Sequence, residues 1–466
     1  MSRFYDAFGI VRAVGDLADE FNILTDRALD RHIRLAVTGL RRSGKTVFIT
    51  SLVHHLLDGY GLPFLSAVHD GRYLGGRLVD ADRREAFPYR RFHAQLGADP
   101  PTWPKATDRL ASLRLELAYK TKSLVLRQVQ PIQHLTLDVI DYPGEWLLDL
   151  PLLETSYEAF SEAALAVAER PLRRRHATPF LQLLRTFNPD APADQPAIAR
   201  ISEIFATYLK GCQNELGLSF LQPGRFTNPG DLAGSRLLHF FPVPPGEVKP
   251  GSNRALLAER YDYYREKVVR EFYDRHFSRF DRQIVLVDLL TSLNAGPDHF
   301  ADTQEALTVI LESFRYGSSS LFGRLFAPKI DKVLFAVSKA DHVAPNQHAN
   351  LKQLLELMIT PAARSSRYMG IERDVIAVAS VRCTDVVRTE HQGQVLSCVR
   401  GRLKDEARET VLFPGEIPGA LPEPEDWKSG IFRFRDFAPR RLVAGVAGQH
   451  IRLDQALEFL LGDKLR

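Results

Sequence analysis

The residues best suited to chemistry are Gly39-Leu40-Arg41-Arg42-Ser43-Gly44-Lys45-Thr46. Two glycines at this spacing, with Lys-Thr directly after the second, can cradle a polyphosphate. Gly39 permits a tight turn out of a strand, and Gly44 lets backbone N–H groups close on phosphate oxygens. A helix beginning there adds the partial positive charge of its N-terminus. Lys45 is expected to reach the β- and γ-phosphates, and the Thr46 hydroxyl to ligate Mg²⁺. The expected cradle is Gly39, Arg42, Ser43, Gly44, Lys45, Thr46 and Val47.

Three further groups complete a nucleotide site. Asp141-Tyr142-Pro143-Gly144 closes a strand-like run, as a γ-phosphate sensor does. Asp141 would hold Mg²⁺ through a water, and the Gly144 N–H would bond the γ-phosphate and be released on hydrolysis. Ser338-Lys339-Ala340-Asp341 is similar to the Asn/Thr-Lys-x-Asp element that reads guanine. A carboxylate at Asp341 accepts from guanine N1–H and the N2 amine, whereas adenine presents a lone pair at N1. Such a mismatch is worth on the order of 10⁴ in selectivity, which favours GTP over ATP. The stem of Lys339 would cover one face of the base. Ser380-Val381-Arg382 would supply a Val381 N–H to guanine O6 and the Arg382 side chain to the other face. Ser338 in place of Asn shortens one tether to the phosphate loop.

For hydrolysis, the expected groups are Lys45, Arg42 and Thr107. Thr107 precedes a strand by a few residues and could complete the Mg²⁺ shell; Thr102 is the alternative. Glu145 stands where many small GTPases carry a water-positioning Gln. Its carboxylate would accept from water but repel the γ-phosphate, so it is expected to turn away. A phosphate-transferring kinase needs neither the Asp141–Gly144 nor the Ser338–Asp341 element in this order.

The elements that must position these groups follow from hydrophobic patterning. Residues 33–37 form a short β-prone run and 47–57 a helix-length one, giving strand, glycine loop and helix in sequence. Residues 113–119 and 134–140 alternate apolar and polar, as half-buried paired strands do. The continuous apolar runs 283–290, 333–337 and 375–379 suit strands buried on both faces of a parallel sheet. Helices are expected over 302–314 and 347–358 between them. This alternation predicts a doubly wound α/β sheet of P-loop NTPase, GTPase type, with a large helical insertion. The expected organisation is a helical lead-in over 1–32, a nucleotide domain over 33–144 and 281–385, an inserted helical subdomain over 145–280, and a C-terminal segment over 386–466 packed on the nucleotide domain. Within the insertion, 254–280 is expected as one long helix. Residues 61–106, rich in Arg, Gly and Pro, are expected to have little regular structure. The Phe432–Phe437 stretch, alternating with Arg433 and Arg435, suits an exposed strand.

The 466 residues suffice for two or three domains, with 45% hydrophobic and 25% charged residues, as in ordinary soluble proteins. A formal net charge of +4 without a basic tract gives no reason to expect nucleic acid. Cys212, Cys383 and Cys398 have no metal-type spacing and suit a reducing compartment. With no signal-peptide core and no membrane-length apolar run, a cytoplasmic location is expected.

Gly39–Leu52, Asp141–Trp146, Ser338–Asp341, Ala379–Arg382 and the ending Ile451–Leu465 together resemble the YcjX-like P-loop GTPases of bacteria. The resemblance covers nearly the whole chain. It implies GTP/GDP binding with Mg²⁺, GTP hydrolysis, a place in the cytosol or at the inner-membrane surface, and an association with envelope or heat-type stress. An inner-membrane protein is a candidate partner, since members often have one encoded nearby. The guanylate-binding proteins and atlastins, which dimerise, carry an Arg at the place of Arg42 and swing it onto the phosphates as an internal finger. Arg42 either does the same, with a homodimer as a candidate assembly, or faces solvent; Arg41 is expected at the surface.

Overall fold

The computed structural model describes residues 32–79, 86–105, 109–314, 330–366, 371–391 and 393–466. Residues 1–31 of the lead-in expected over 1–32, and the candidate Thr107, therefore lie outside the described residues, while His32 opens β1. Strand β1 (His32–Gly39) runs into the glycine loop and helix α1 (Lys45–Asp58). Strands β2 (Tyr73–Val79), β3 (Ala111–Lys120) and β4 (Ile132–Asp141) follow, then β5 (Arg282–Val287), β6 (Lys332–Val337) and β7 (Glu372–Ala377). They form one seven-stranded sheet in the order β2-β3-β4-β1-β5-β6-β7. The pairs β2–β3 and β3–β4 are antiparallel. All pairs from β4 through β7 are parallel. The fold is thus mixed α/β with a mostly parallel central sheet.

The apolar runs leave the sheet on both faces. Ile33, Leu35, Val37, Ile284 and Leu286 pack with Phe48, Leu52 and Leu56 of α1. Ala36, Val285, Val287, Phe335 and Val337 belong to the opposite core. Every residue of β5 is buried, as a central parallel strand requires.

Between β4 and β5 the chain makes its long excursion. Gly144–Glu154 is a 3₁₀ stretch, and helices follow at Tyr157–Ala168, Pro171–Thr186 and α2 (Gln195–Asn214). Asp194 caps α2 by accepting from the Ala197 N–H. The helical stretch beginning at Asn253 is interrupted: a wide π-type turn occupies Arg265–Val269, and a 3₁₀ turn ends the run at Arg279. An aromatic core fills the excursion, with Phe160 stacked on Tyr261 at 4.9 Å and Phe240 edge-on to Phe226 at 5.0 Å. This core is continuous with the sheet face that carries Val285 and Phe335.

Helices α3 (Pro297–Ser313) and α4 (His348–Ser366) separate the later strands. Beyond β7, strands β8 (Asp385–His391), β9 (Gln394–Arg402) and β10 (Glu409–Leu412) make a separate antiparallel sheet. The chain then returns to the main sheet. Ile451 bridges Ala379, and Leu453, Leu457 and Leu460 of α5 (Leu453–Leu461) join the core that holds the buried face of α1. Asp454 accepts from the Phe64 N–H at 3.0 Å, Glu458 from the Ser66 hydroxyl at 2.6 Å, and the Leu465 carbonyl from Arg72 at 2.6 Å.

Two expectations require correction. Residues 61–106 contain β2 and a helix at Tyr89–Gly97. The Phe432–Phe437 stretch is no exposed strand: Phe434 and Phe437 are buried, and Phe437 makes a single bridge to Leu403.

Candidate functional site

The phosphate loop is held from below by the sheet. The Leu40 N–H donates to the Leu286 carbonyl at 3.1 Å, and the Ser43 N–H closes the turn onto Leu40 O at 3.2 Å. Arg42 and Gly44 take left-handed conformations, with φ of 61° and 84°. Gly39 is required for a different reason: a methyl group there would stand 2.5 Å from both Leu286 O and Ser43 Oγ. No side chain caps α1, so its first N–H groups are left for a ligand. The Ser43 hydroxyl oxygen is buried with no hydrogen-bond partner inside this turn. These features fit a bound phosphate chain.

Below the loop, Thr46 and Asp141 are buried. Asp141 ends β4, in register with Val37 of β1 and Ala111 of β3. A hydroxyl and a carboxylate are the hard oxygen ligands that Mg²⁺ takes.

A cavity of about 310 Å³ opens beside the loop. Arg42, Ser43, Gly44, Lys45, Thr46 and Val47 line one end of it; Ser338, Lys339, Asp341, Ser380 and Val381 line the other. The fold therefore gathers the two sets of residues that the sequence separates by some 290 positions. Gly39, Asp141 and Gly144 stand behind the lining, and Arg382 is turned out of it. The Arg382 guanidinium donates from Nε to Thr384 O at 3.0 Å and faces Asp385 at 3.9 Å.

At the far end of the cavity, Asp341 Oδ2 accepts from the Cys383 N–H at 2.6 Å, which fixes the carboxylate plane. Lys339 is left-handed, with φ of 59°. Its ammonium lies 2.7 Å from Asp288 and 2.9 Å from Asp436. Burial opposes that charge, but the two carboxylates outweigh it and hold Lys339 above the ordinary lysine range. The Ser338 hydroxyl donates to Val287 O at 3.3 Å. Ser51 of α1 donates to Ser380 O at 2.5 Å, tying the Ser380 loop to the helix that begins at the glycine loop.

Sequence reasoning missed part of the wall. Trp103, Pro104, His342, Cys383, Lys404, Asp436 and Phe437 also line the cavity. Trp103 Nε1 donates to Phe437 O at 3.0 Å, and the Phe437 ring meets His342 edge-on at 5.0 Å. The signals were Trp103-Pro104 and the Arg/Phe alternation, both visible, but nothing local links them to a base site.

Arg41 is half-buried rather than at the surface. Its guanidinium donates to Gln213 O and, at 2.9 Å, to Asn214 Oδ1, both at the end of α2. Glu145 lines no part of the main cavity and accepts from Gln213 Nε2 at 2.9 Å. Arg42 is exposed and lines both the main cavity and a smaller one of about 120 Å³ under α2.

The stretch after Gly144 is gripped by the excursion. A methyl on Gly224 would stand 2.1 Å from Glu145 O. The Arg225 guanidinium lies 3.4 Å from the centre of the Trp146 ring. Asp149 is fully buried, and burial pushes its pKa up to about 6, although Tyr264 OH donates to it at 2.6 Å. Among the described residues no helix is long and apolar enough to cross a membrane.

The chain is 44% identical over 467 residues to the Ras-like GTPase YcjX of Escherichia coli, covering 97% of this chain and 99% of that protein. It is 38% identical over 473 residues to the Ras-like GTPase YcjX of Shewanella oneidensis, covering 95% and 96% respectively. The description "YcjX-like family, DUF463" matches residues 33–465. With its phosphate loop, its strand-end Asp141 and its Asp341 pocket in one sheet, the chain belongs to the YcjX-like family.

Proposed function

We propose that this protein binds guanine nucleotide with Mg²⁺ and hydrolyses GTP to GDP and phosphate. The observation that carries this reading is one cavity with Lys45 at one end and a fixed Asp341 carboxylate at the other. The names of the two relatives agree with it. Helices on both sheet faces support a doubly wound P-loop fold, with 145–280 as the insertion and 386–466 packed against the nucleotide domain.

In this reading the backbone of Ser43–Val47 and the Lys45 ammonium hold the β- and γ-phosphates. Thr46 and Asp141 would hold Mg²⁺, which would supply charge neutralisation to the phosphates. Asp341 accepts from guanine N1–H and the N2 amine, the Lys339 stem covers the ring, and the Val381 N–H meets O6. Thr107 keeps its expected role in the Mg²⁺ shell as a proposal.

Titration calorimetry with a GTP analogue, with ATP as competitor, tests the site. GTP analogue should bind, ATP should fail to displace it at roughly 100-fold excess, and Lys45→Ala should weaken binding by on the order of 100-fold or more. Equal affinity for ATP, or unchanged affinity in Lys45→Ala, would overturn the assignment. A second reading, a nucleotide-gated interaction module that hardly turns over, is favoured by the engagement of Glu145 with Gln213.

A further inference from the structure

Gln213 lies at the end of α2, far in sequence from every nucleotide motif, yet it makes two contacts at the phosphate end of the site. Its backbone carbonyl accepts from Arg41 of the phosphate loop. Its side-chain amide donates from Nε2 to Glu145 Oε1 at 2.9 Å. Glu145 is the residue directly after the γ-phosphate sensor Gly144. One residue of the insertion thus bridges the two loops that would face the terminal phosphate.

The chemistry of Glu145 explains what such a bridge does. A carboxylate beside a γ-phosphate is repelled by it, but a carboxylate one water away can orient that water for attack. In this arrangement the amide of Gln213 holds the carboxylate aside. The backbone around it is held too, since Gly224 abuts Glu145 O and Trp146 Nε1 donates to Asn228 O at 3.2 Å.

We propose that Gln213 is a positioning residue that restrains Glu145, so that the helical insertion acts as a built-in brake on hydrolysis. The proposal rests on the nucleotide reading above. When the Gln213–Glu145 bond opens, Glu145 turns toward the cavity and orients the attacking water. The water oxygen then bonds to the γ-phosphorus as the bond from phosphorus to the β–γ bridging oxygen breaks. GDP leaves with that bonding pair, and the water proton passes to the departing inorganic phosphate.

Two features make the test specific. Gln213→Ala removes the amide but keeps the backbone carbonyl that receives Arg41, so the phosphate loop keeps its anchor. Gln213→Glu sets a carboxylate against Glu145. Two carboxylates at hydrogen-bond distance repel, so this variant removes the restraining amide and pushes Glu145 out of the contact.

The experiment is single-turnover GTP hydrolysis by the full chain, with GTP-analogue affinity measured in parallel. A hydrogen bond to a charged group corresponds to roughly tenfold or more in population. Gln213→Ala should therefore raise turnover about tenfold with unchanged affinity. Gln213→Glu should likewise raise turnover by about tenfold or more. Both gains should vanish in a Glu145→Ala background. A gain of the same size without Glu145, or wild-type turnover in both variants, would overturn the brake. Absence of GTP-analogue binding by the wild type would instead overturn the nucleotide reading. Because Gln213→Glu keeps the size and shape of the side chain, it decides the matter even if Gln213→Ala is poorly folded.

Discussion

Gly144 rests on Gly39. A methyl group added to Gly144 would stand 2.4 Å from the Gly39 carbonyl oxygen and 3.0 Å from its carbon, both fixed backbone at the end of β1. The proposed γ-phosphate sensor and the first turn of the glycine loop are therefore in direct contact. Gly144→Ala should push the sensor away from the loop. The expected result is about a tenfold or greater loss of affinity for a GTP analogue, with GDP affinity nearly unchanged. Overpacking of this kind costs about 1–3 kcal/mol of stability, which thermal unfolding would read separately. Equal losses for both nucleotides would mean that the contact serves the loop and not the sensor.

Asp341→Asn should spare the fold, because an amide oxygen can still accept from the Cys383 N–H. It should move preference from GTP toward xanthosine triphosphate, since the new amide can donate to the carbonyl that xanthine has in place of the guanine amine. Competition binding with GTP, ATP and xanthosine triphosphate checks this. An unchanged ranking would remove Asp341 from the base site.

Arg42 stands between two cavities, exposed and in a left-handed turn. An arginine finger is typically worth about 10³–10⁵ in rate. Arg42→Ala should lower turnover at least about tenfold while GTP-analogue affinity changes little, because in the proposed reading Lys45 and the loop backbone hold the ground state. If a second copy of the chain sets the finger, specific activity should rise with protein concentration in the wild type only. Arg42→Gly, which relieves the positive φ, guards against a purely conformational effect. Wild-type turnover in both variants would leave Arg42 as a surface charge.

Stability should fall as pH drops from about 6.5 to about 4. Burial lowers His55 to about 4, with His450 beside it adding to the effect. Burial, with Arg275 and Arg279 nearby, also lowers His276 to about 4. Both groups bind protons more readily when unfolded, so the stability they provide is complete above the unfolded value of 6.5 and is lost as pH falls through that window. Asp149 acts in the opposite sense, because a carboxyl raised to about 6 favours the folded state at low pH. His55→Gln should flatten the pH dependence of the melting temperature between pH 6.5 and 4. A slope identical to wild type would show that the histidine makes no such contribution.

The sequence made some parts of this molecule legible and hid others for physical reasons. The phosphate loop is short-range: Gly39, Gly44, Lys45 and Thr46 lie within one turn, and flanking β-prone and helical runs frame them. The central strands were readable because burial on both faces demands unbroken apolar residues, as in Ile284–Val287. Strand β2 was not, because an edge strand with mixed exposure carries Gly75-Gly76 and a charged Arg77 instead of alternation. The long helix expected over 254–280 kept its apolar stripe, yet the periodicity gave no sign of the wide turn at Arg265–Val269. Trp103, Lys404 and Phe437 meet only in three dimensions. Gln213 was invisible for a simpler reason: a glutamine at a helix end is ordinary, and only its partners give it meaning.

The placement of α5 has a bearing on how this protein comes into being. The helix that starts at the phosphate loop is buttressed by residues 453–465, and the base loop is pinned at Ala379 by Ile451. Those residues leave the ribosome after every strand of the central sheet. A nascent chain therefore carries the complete set of nucleotide motifs well before it can assemble the pocket they line. The pocket therefore closes only once residues 451–465 have docked, and a chain cut before Ile451 should be caught with its loops unassembled.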